Sequence, residues 1–200
     1  MSAAQYMSET KDTESHLEIP GLDRTIVLVG LMGAGKTTIG RKLAARLGMR
    51  FVDADEEIER AAGLSVKDIF AKYGEGEFRA GERRVIGRLL QEPPLVLATG
   101  GGAFMDAQTR AQILARSISL WLKADLDLLE KRVSRRNTRP LLNTGNPREI
   151  LSRLMAERYP VYAQANLTIE ARDVPQSAMV QIIIDALIAF CRPGGGKHSA

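Results

Sequence analysis

An apolar run, Ile26–Val29, leads straight into Gly-Leu-Met-Gly-Ala-Gly-Lys-Thr-Thr at 30–38, and no other stretch restricts the fold as tightly. Gly30, Gly35, Lys36 and Thr37 satisfy the G-x-x-x-x-G-K-[ST] pattern. In such a loop the glycines let backbone N–H groups converge on phosphate oxygens while the following helix points its positive dipole end at them. Lys36 is then placed for the β- and γ-phosphates, and the Thr37 hydroxyl for magnesium. The loop requires a strand before it and a helix after it. Thr37–Leu47 supplies that helix, with Ile39, Leu43 and Leu47 four residues apart and Gly48 as the stop.

Further apolar runs at Met49–Val52, Leu95–Ala98, Ile118–Leu122 and Leu167–Ile169 alternate with helical spacing. They are nearly continuous rather than two-residue periodic, as in a parallel sheet covered by helices on both faces. The spacing predicts helices over 76–91, 106–116, 125–134 and 148–163, a capped helix from Ser65 to Tyr73 ended by Gly74, and a last helix behind Pro175. Two intervals break the alternation: a helical insertion at 55–91 and a basic stretch at 135–147.

Two hundred residues suffice for one domain, expected over 21–192, between a solvated, disordered tail at 1–20 and a flexible end at 193–200. Residues 1–20 carry acids and no apolar core, unlike a secretory signal, and no segment approaches a membrane span. The single cysteine, Cys191, cannot form an internal disulfide and fits a reducing cytoplasm. The net charge of +4 suits an anionic substrate without demanding a polyanion. Residues 131–139 hold five basic side chains and no acid, yet no aromatic for base stacking, which speaks against nucleic acid.

Ligands in doubly wound sheets bind beyond the carboxyl ends of the strands. Asp53 and Asp55 end the second run, and on an extended chain both face one side. One can hold magnesium and the other accept a proton. The same acids fit a plainer role, with Asp55 capping a helix that begins at Glu56 and Asp53 solvating the strand end. Gly100-Gly101-Gly102 follows the third run and permits close backbone approach to a ligand, or serves as a mobile turn. No acid closes that strand, so the usual metal-binding aspartate of phosphate-loop enzymes falls to Asp53. Arg79, Arg132, Arg139 and Arg158 are candidate clamps for phosphate or carboxylate.

Six separated signatures together resemble the shikimate kinase family: 30–44, FVDADEEIE at 51–59, the stretch from Asp68 to Arg79, Thr99 to Ala103, Arg139-Pro140-Leu141-Leu142, and Glu157 to Tyr162. The resemblance implies an α/β phosphate-loop kinase fold of three layers, with a five-stranded parallel sheet in the order 2-3-1-4-5. It makes 55–91 a substrate-binding region and 135–147 a mobile lid. It implies that Asp55 holds the shikimate hydroxyls and accepts a proton, that Arg79 and Arg158 bind the shikimate carboxylate, and that Gly101 lies beside the ring. Gly33, Ala34, Gly35, Lys36, Thr37 and Thr38 would hold the ATP phosphates, Arg139 would close over them, and Arg132 would stack on adenine. Magnesium would be bound by Thr37 directly and by Asp53 through water. The implied reaction is ATP-dependent phosphorylation of the shikimate 3-hydroxyl by a cytoplasmic monomer. A gluconate or nucleoside-monophosphate kinase is the nearest rival. A GTPase switch is disfavoured because the chain lacks N-K-x-D and D-x-x-G motifs.

Overall fold

The structure is a computed structural model that describes residues 16–134 and 146–192. Five strands form one parallel sheet: β1 (Thr25–Val29), β2 (Arg50–Asp53), β3 (Leu95–Ala98), β4 (Ser117–Lys123) and β5 (Leu167–Glu170). Their order is β2-β3-β1-β4-β5, as the resemblance implies, so the first strand lies in the middle and the strand order switches side there while every pairing stays parallel. Every residue of β1 and β3 is buried. Helices therefore cover both faces of the sheet centre, which is why these runs lack two-residue alternation.

The helices are α1 (Lys36–Leu47), α2 (Ala54–Ala62), α3 (Val66–Leu89), α4 (Ala107–Arg116), α5 (Leu126–Ser134), α6 (Pro147–Tyr162) and α7 (Gln176–Cys191), with a short 3-10 turn at Ala103–Met105. α3 unites the two helices expected on either side of Gly74, where φ 80° and ψ 174° interrupt the helical path as a glycine allows. Ser65 caps its start by accepting from the Asp68 amide.

Most of the apolar interior is one cluster around the sheet. A second, small cluster of Ile58, Ile69 and Phe78 lies between α2 and α3, so the 55–91 insertion carries a core of its own. Residues 16–20 depart from the solvated tail expected over 1–20: Ile19 is buried, the Leu17 amide donates to Arg46 O, and His16 contacts Ala45 O. Leu17 and Ile19 repay their ordering by burial, which an acid-rich composition conceals. Residues 1–15, the end at 193–200 and most of the expected lid, 135–145, lie outside the described residues. No helix among the described residues is long and apolar enough to cross a membrane.

Candidate active site

β1 ends at the sheet centre and hands the chain to the glycine loop, where Gly33 and Gly35 take φ values of 83° and 102°. These left-handed angles curl the backbone so that α1 can start at Lys36 with its N–H groups directed at the loop. The Lys36 ammonium donates to the loop's own carbonyls, Gly30 O at 2.7 Å and Leu31 O at 3.0 Å, which holds it across the loop mouth. A cleft of about 440 Å³ opens there, lined by Gly33, Gly35, Lys36, Thr37, Thr38 and Arg132 among others. The Ala34 side chain is buried beneath it. Arg132 comes from α5 and bridges two walls, donating to Ala34 O at 3.2 Å and to Arg172 O at 2.9 Å. Lys131 reaches Asp173 at 2.5 Å, so the basic run is tied into the cleft wall at its first two members. Arg139 lies outside the described residues.

The Thr37 hydroxyl donates to Asp53 Oδ2 at 2.8 Å. An alcohol and a carboxylate at that separation are hard oxygen donors suited to magnesium, which keeps several waters and needs only one or two protein ligands. Among the described residues no group of three or more His, Cys, Asp or Glu side chains is placed to hold a metal ion.

Asp53, not Asp55, caps the next helix: its Oδ1 accepts the Asp55 amide at 3.1 Å. The helix therefore begins at Ala54, two residues earlier than the capping alternative supposed. Asp55 sits in its first turn rather than on an extended chain, and its carboxylate owes its direction to helix geometry. It still faces the cleft, because β2 pairs with β3 in a register that sets Asp53 beside Ala98, and the chain beyond Ala98 is the glycine run.

That run is where the predicted residues meet. A side chain on Gly100 would place its Cβ 2.8 Å from Asp55 Oδ1 and 3.3 Å from Glu82 Oε1. On Gly101 it would lie 3.4 Å from Arg158 Nη1, and on Gly102 only 2.2 Å from Arg79 Nη2. Three bare backbone positions thus allow an acid and two guanidinium groups from β2–α2, α3 and α6 to gather at one strand end. Arg79 donates to Glu82 Oε2 at 2.6 Å and to Glu75 at 3.3 Å. Arg158 donates from Nη1 to Gly101 O at 3.1 Å, and the Tyr162 hydroxyl donates to the same oxygen.

Burial pushes the Asp55 carboxyl above its ordinary range, Asp53 adds to the rise, and the Lys36 charge opposes it. Burial likewise raises Glu82, against the pull of Arg79. The Arg79 guanidinium is desolvated, but the two glutamates outweigh that cost and hold it charged. Glu82 Oε1 and Arg158 Nε are buried without a hydrogen-bond partner. One is an acceptor and one a donor, so the cleft offers complementary groups to a ligand that carries both hydroxyls and an anion. Glu82 and Tyr162 escaped the sequence reading. Glu82 stands three residues after Arg79, the only hint of their ion pair, within a charged stretch that reads as solvated surface.

Comparison with known proteins points to one family. A family model described as Shikimate kinase matches residues 32–188. A shikimate kinase of Paramagnetospirillum magneticum is 57% identical over 169 residues, covering 84% of this chain and 87% of that one. One of Bradyrhizobium diazoefficiens is 58% identical over 166 residues, covering 83% and 80%. Among solved structures, the shikimate kinase of Acinetobacter baumannii in complex with shikimate superimposes with a TM-score of 0.79 at 41% identity, covering 84% of this chain and 94% of that one.

Proposed function

The chain belongs to the shikimate kinase family, and from that premise we propose how its cleft transfers the γ-phosphoryl group of ATP to the 3-hydroxyl of shikimate. The products are 3-phosphoshikimate and ADP, on the route to aromatic amino acids. What carries the reading at the level of residues is the meeting of Asp55, Arg158 and Arg79 at Gly100, Gly101 and Gly102, one strand away from the phosphate loop.

Shikimate is a carboxylated triol, so its cleft needs cations at one end and acceptors at the other. Arg79 and Arg158 take the carboxylate, the ring lies along Gly101, and Asp55 accepts hydrogen bonds from the hydroxyls. The 3-oxygen attacks the γ-phosphorus, the bond to the bridging oxygen breaks to leave ADP, and the hydroxyl proton passes to Asp55. The raised affinity of Asp55 for a proton suits it to that step. Because the transition state is loose, orienting the hydroxyl matters more than stripping its proton.

At the nucleotide end, Gly33, Ala34, Gly35, Thr37 and Thr38 cradle the phosphates, and Lys36 leaves the Gly30 and Leu31 carbonyls for phosphate oxygens. Arg132 lies under the adenine ring, and the segment 135–147 acts as a lid that brings Arg139 over the phosphates and excludes water. Thr37 would hold magnesium directly and Asp53 through water. When bound, the ion supplies positive charge to the phosphate oxygens. We assign the enzyme to the cytoplasm as a monomer that binds neither nucleic acid nor membrane. Supporting this, Lys131 and Arg132 are engaged within the cleft rather than presented as a patch.

Coupled ADP release with ATP and shikimate, gluconate or a nucleoside monophosphate tests the assignment. Shikimate-dependent turnover is expected, and turnover on a nucleotide or gluconate alone overturns it.

A further inference from the structure

Tyr162 is a side chain for which the reaction described above has no use, and it is among the largest fully buried in the chain, with none of its surface exposed. It sits one turn beyond Arg158 on α6, so the two side chains project from the same helix face. Both donate to a single acceptor, Gly101 O, the central carbonyl of the glycine run. The ring is held from three sides, with centroids 6.0 Å from Trp121, 6.3 Å from Tyr159 and 6.4 Å from Phe104. Trp121 lies within β4, Tyr159 belongs to α6 and Phe104 to the turn after the glycines, so the clamp draws on the sheet, the helix and the loop. A phenol fixed in this way cannot follow a moving loop. It sets where the Gly101 carbonyl points, and through the planar trans peptide it also sets where the Gly102 N–H points.

We propose that Tyr162 is a positioning residue for the carboxylate end of the shikimate cleft: its hydroxyl fixes Gly101 O, and that carbonyl in turn fixes the guanidinium of Arg158. The inference rests on Arg158 as a carboxylate ligand. With the carbonyl shared, Arg158 has one of its donors anchored to the backbone beside the phenol, which it also bonds directly, and Nε left for other partners. Without the phenol, the carbonyl keeps only Arg158, and the glycine run regains the freedom that three residues lacking side chains confer. The cost falls on shikimate binding and spares the nucleotide end, which contacts neither residue.

The experiment compares Tyr162→Phe, Arg158→Lys and the double variant by steady-state kinetics and thermal melting. Tyr162→Phe keeps the ring and its packing, so it should melt close to the parent. The expected result is a rise of about fivefold in the KM for shikimate, ~1 kcal/mol at 1.4 kcal/mol per tenfold. The kcat should stay within about twofold, with the KM for ATP unchanged. In the Arg158→Lys background the phenol should matter much less, so the two effects should fall short of additive. Additive effects, or a loss of kcat and melting temperature with the shikimate KM unchanged, overturn the proposal and reduce Tyr162 to a core residue. If Arg158→Lys raises the shikimate KM and Tyr162→Phe does not, the proposal fails while the reading of Arg158 stands. If Arg158→Lys leaves that KM unchanged, both fall.

Discussion

Replacing Gly102 by alanine tests the substrate end of the cleft without touching any charged residue. The backbone at Gly102, with φ −95° and ψ −17°, is one that alanine adopts freely, so no strain arises in the chain itself. The new methyl would stand 2.2 Å from Arg79 Nη2, whereas ordinary contact begins at 3.4 Å, so the guanidinium must retreat by about 1.2 Å. A shift of that size is comparable with the margin between the 2.6 Å bond to Glu82 and a broken one. Arg79 is the flexible end of a long side chain, and it yields before the backbone does. Weakening its charge-assisted bond costs about 1.5–3 kcal/mol, and alanine returns ~0.4–1 kcal/mol by restricting the unfolded chain. The net loss of about 0.5–2.6 kcal/mol lowers the melting temperature by roughly 1–10 °C for a chain of this size. Losing one of two guanidinium contacts to the shikimate carboxylate is worth a similar amount, so the KM for shikimate should rise about 10–100-fold. The KM for ATP should not move. Coupled ADP release at saturating ATP with varied shikimate, alongside a thermal melt, reads both quantities. A folded Gly102→Ala enzyme with an unaltered shikimate KM would refute the placement of Arg79 at the substrate.

Three further outcomes follow. Asp55→Asn should lower kcat by about two to four orders of magnitude while ATP still binds by titration calorimetry, and near-normal turnover removes Asp55 as the proton acceptor. The same variant should be more stable than the parent at neutral pH. Because the folded Asp55 pKa lies above its ordinary 3.8, the parent loses stability as pH rises through the folded value. The advantage of asparagine should therefore shrink as pH falls toward 3.8, which denaturant melts at several pH values will show. Thr37→Val removes a proposed metal ligand and leaves Asp53 Oδ2 without its donor, so the magnesium concentration for half-maximal turnover should rise about tenfold or more. An unchanged magnesium dependence excludes Thr37 as a ligand. Burial pushes Tyr159 up to about 12 and also raises Tyr162 above the ordinary phenol value, so part of the tyrosine ionisation should be displaced to higher pH in an ultraviolet titration. Two-phase ionisation supports this, and a single phase near the free phenol value contradicts it.

The sheet and the phosphate loop were legible because their signals are local. Ile26–Val29 and the glycines behind it could take few other shapes, and Gly74 marked its break in α3 by identity alone. The substrate end was legible only as candidates. Nothing in the chain states that Arg79 and Arg158, 79 residues apart in number, share three glycines with Asp55; parallel pairing of β2 with β3 brings Asp55 there, and packing of α3 and α6 against the turn after the glycines brings the arginines. The swap of capping duty from Asp55 to Asp53 reflects the weakness of cap signals when two acids stand close together, since either can accept an amide. Glu82 was hidden because a glutamate among charged neighbours on a helix is ordinarily solvated. Tyr162 was hidden because a buried tyrosine in an apolar helix face is ordinarily packing.

The separate apolar cluster of Ile58, Ile69 and Phe78 has a consequence for descent as well as for packing. Substitutions among these three side chains are absorbed at the far end of the α2–α3 hairpin, away from Ala54, Ile86 and Leu89, by which the same helices join the sheet's interior. A lineage could therefore revise which alcohol is phosphorylated while inheriting the nucleotide machinery intact. Selection on the acceptor and selection on the donor can proceed at different rates in one small chain.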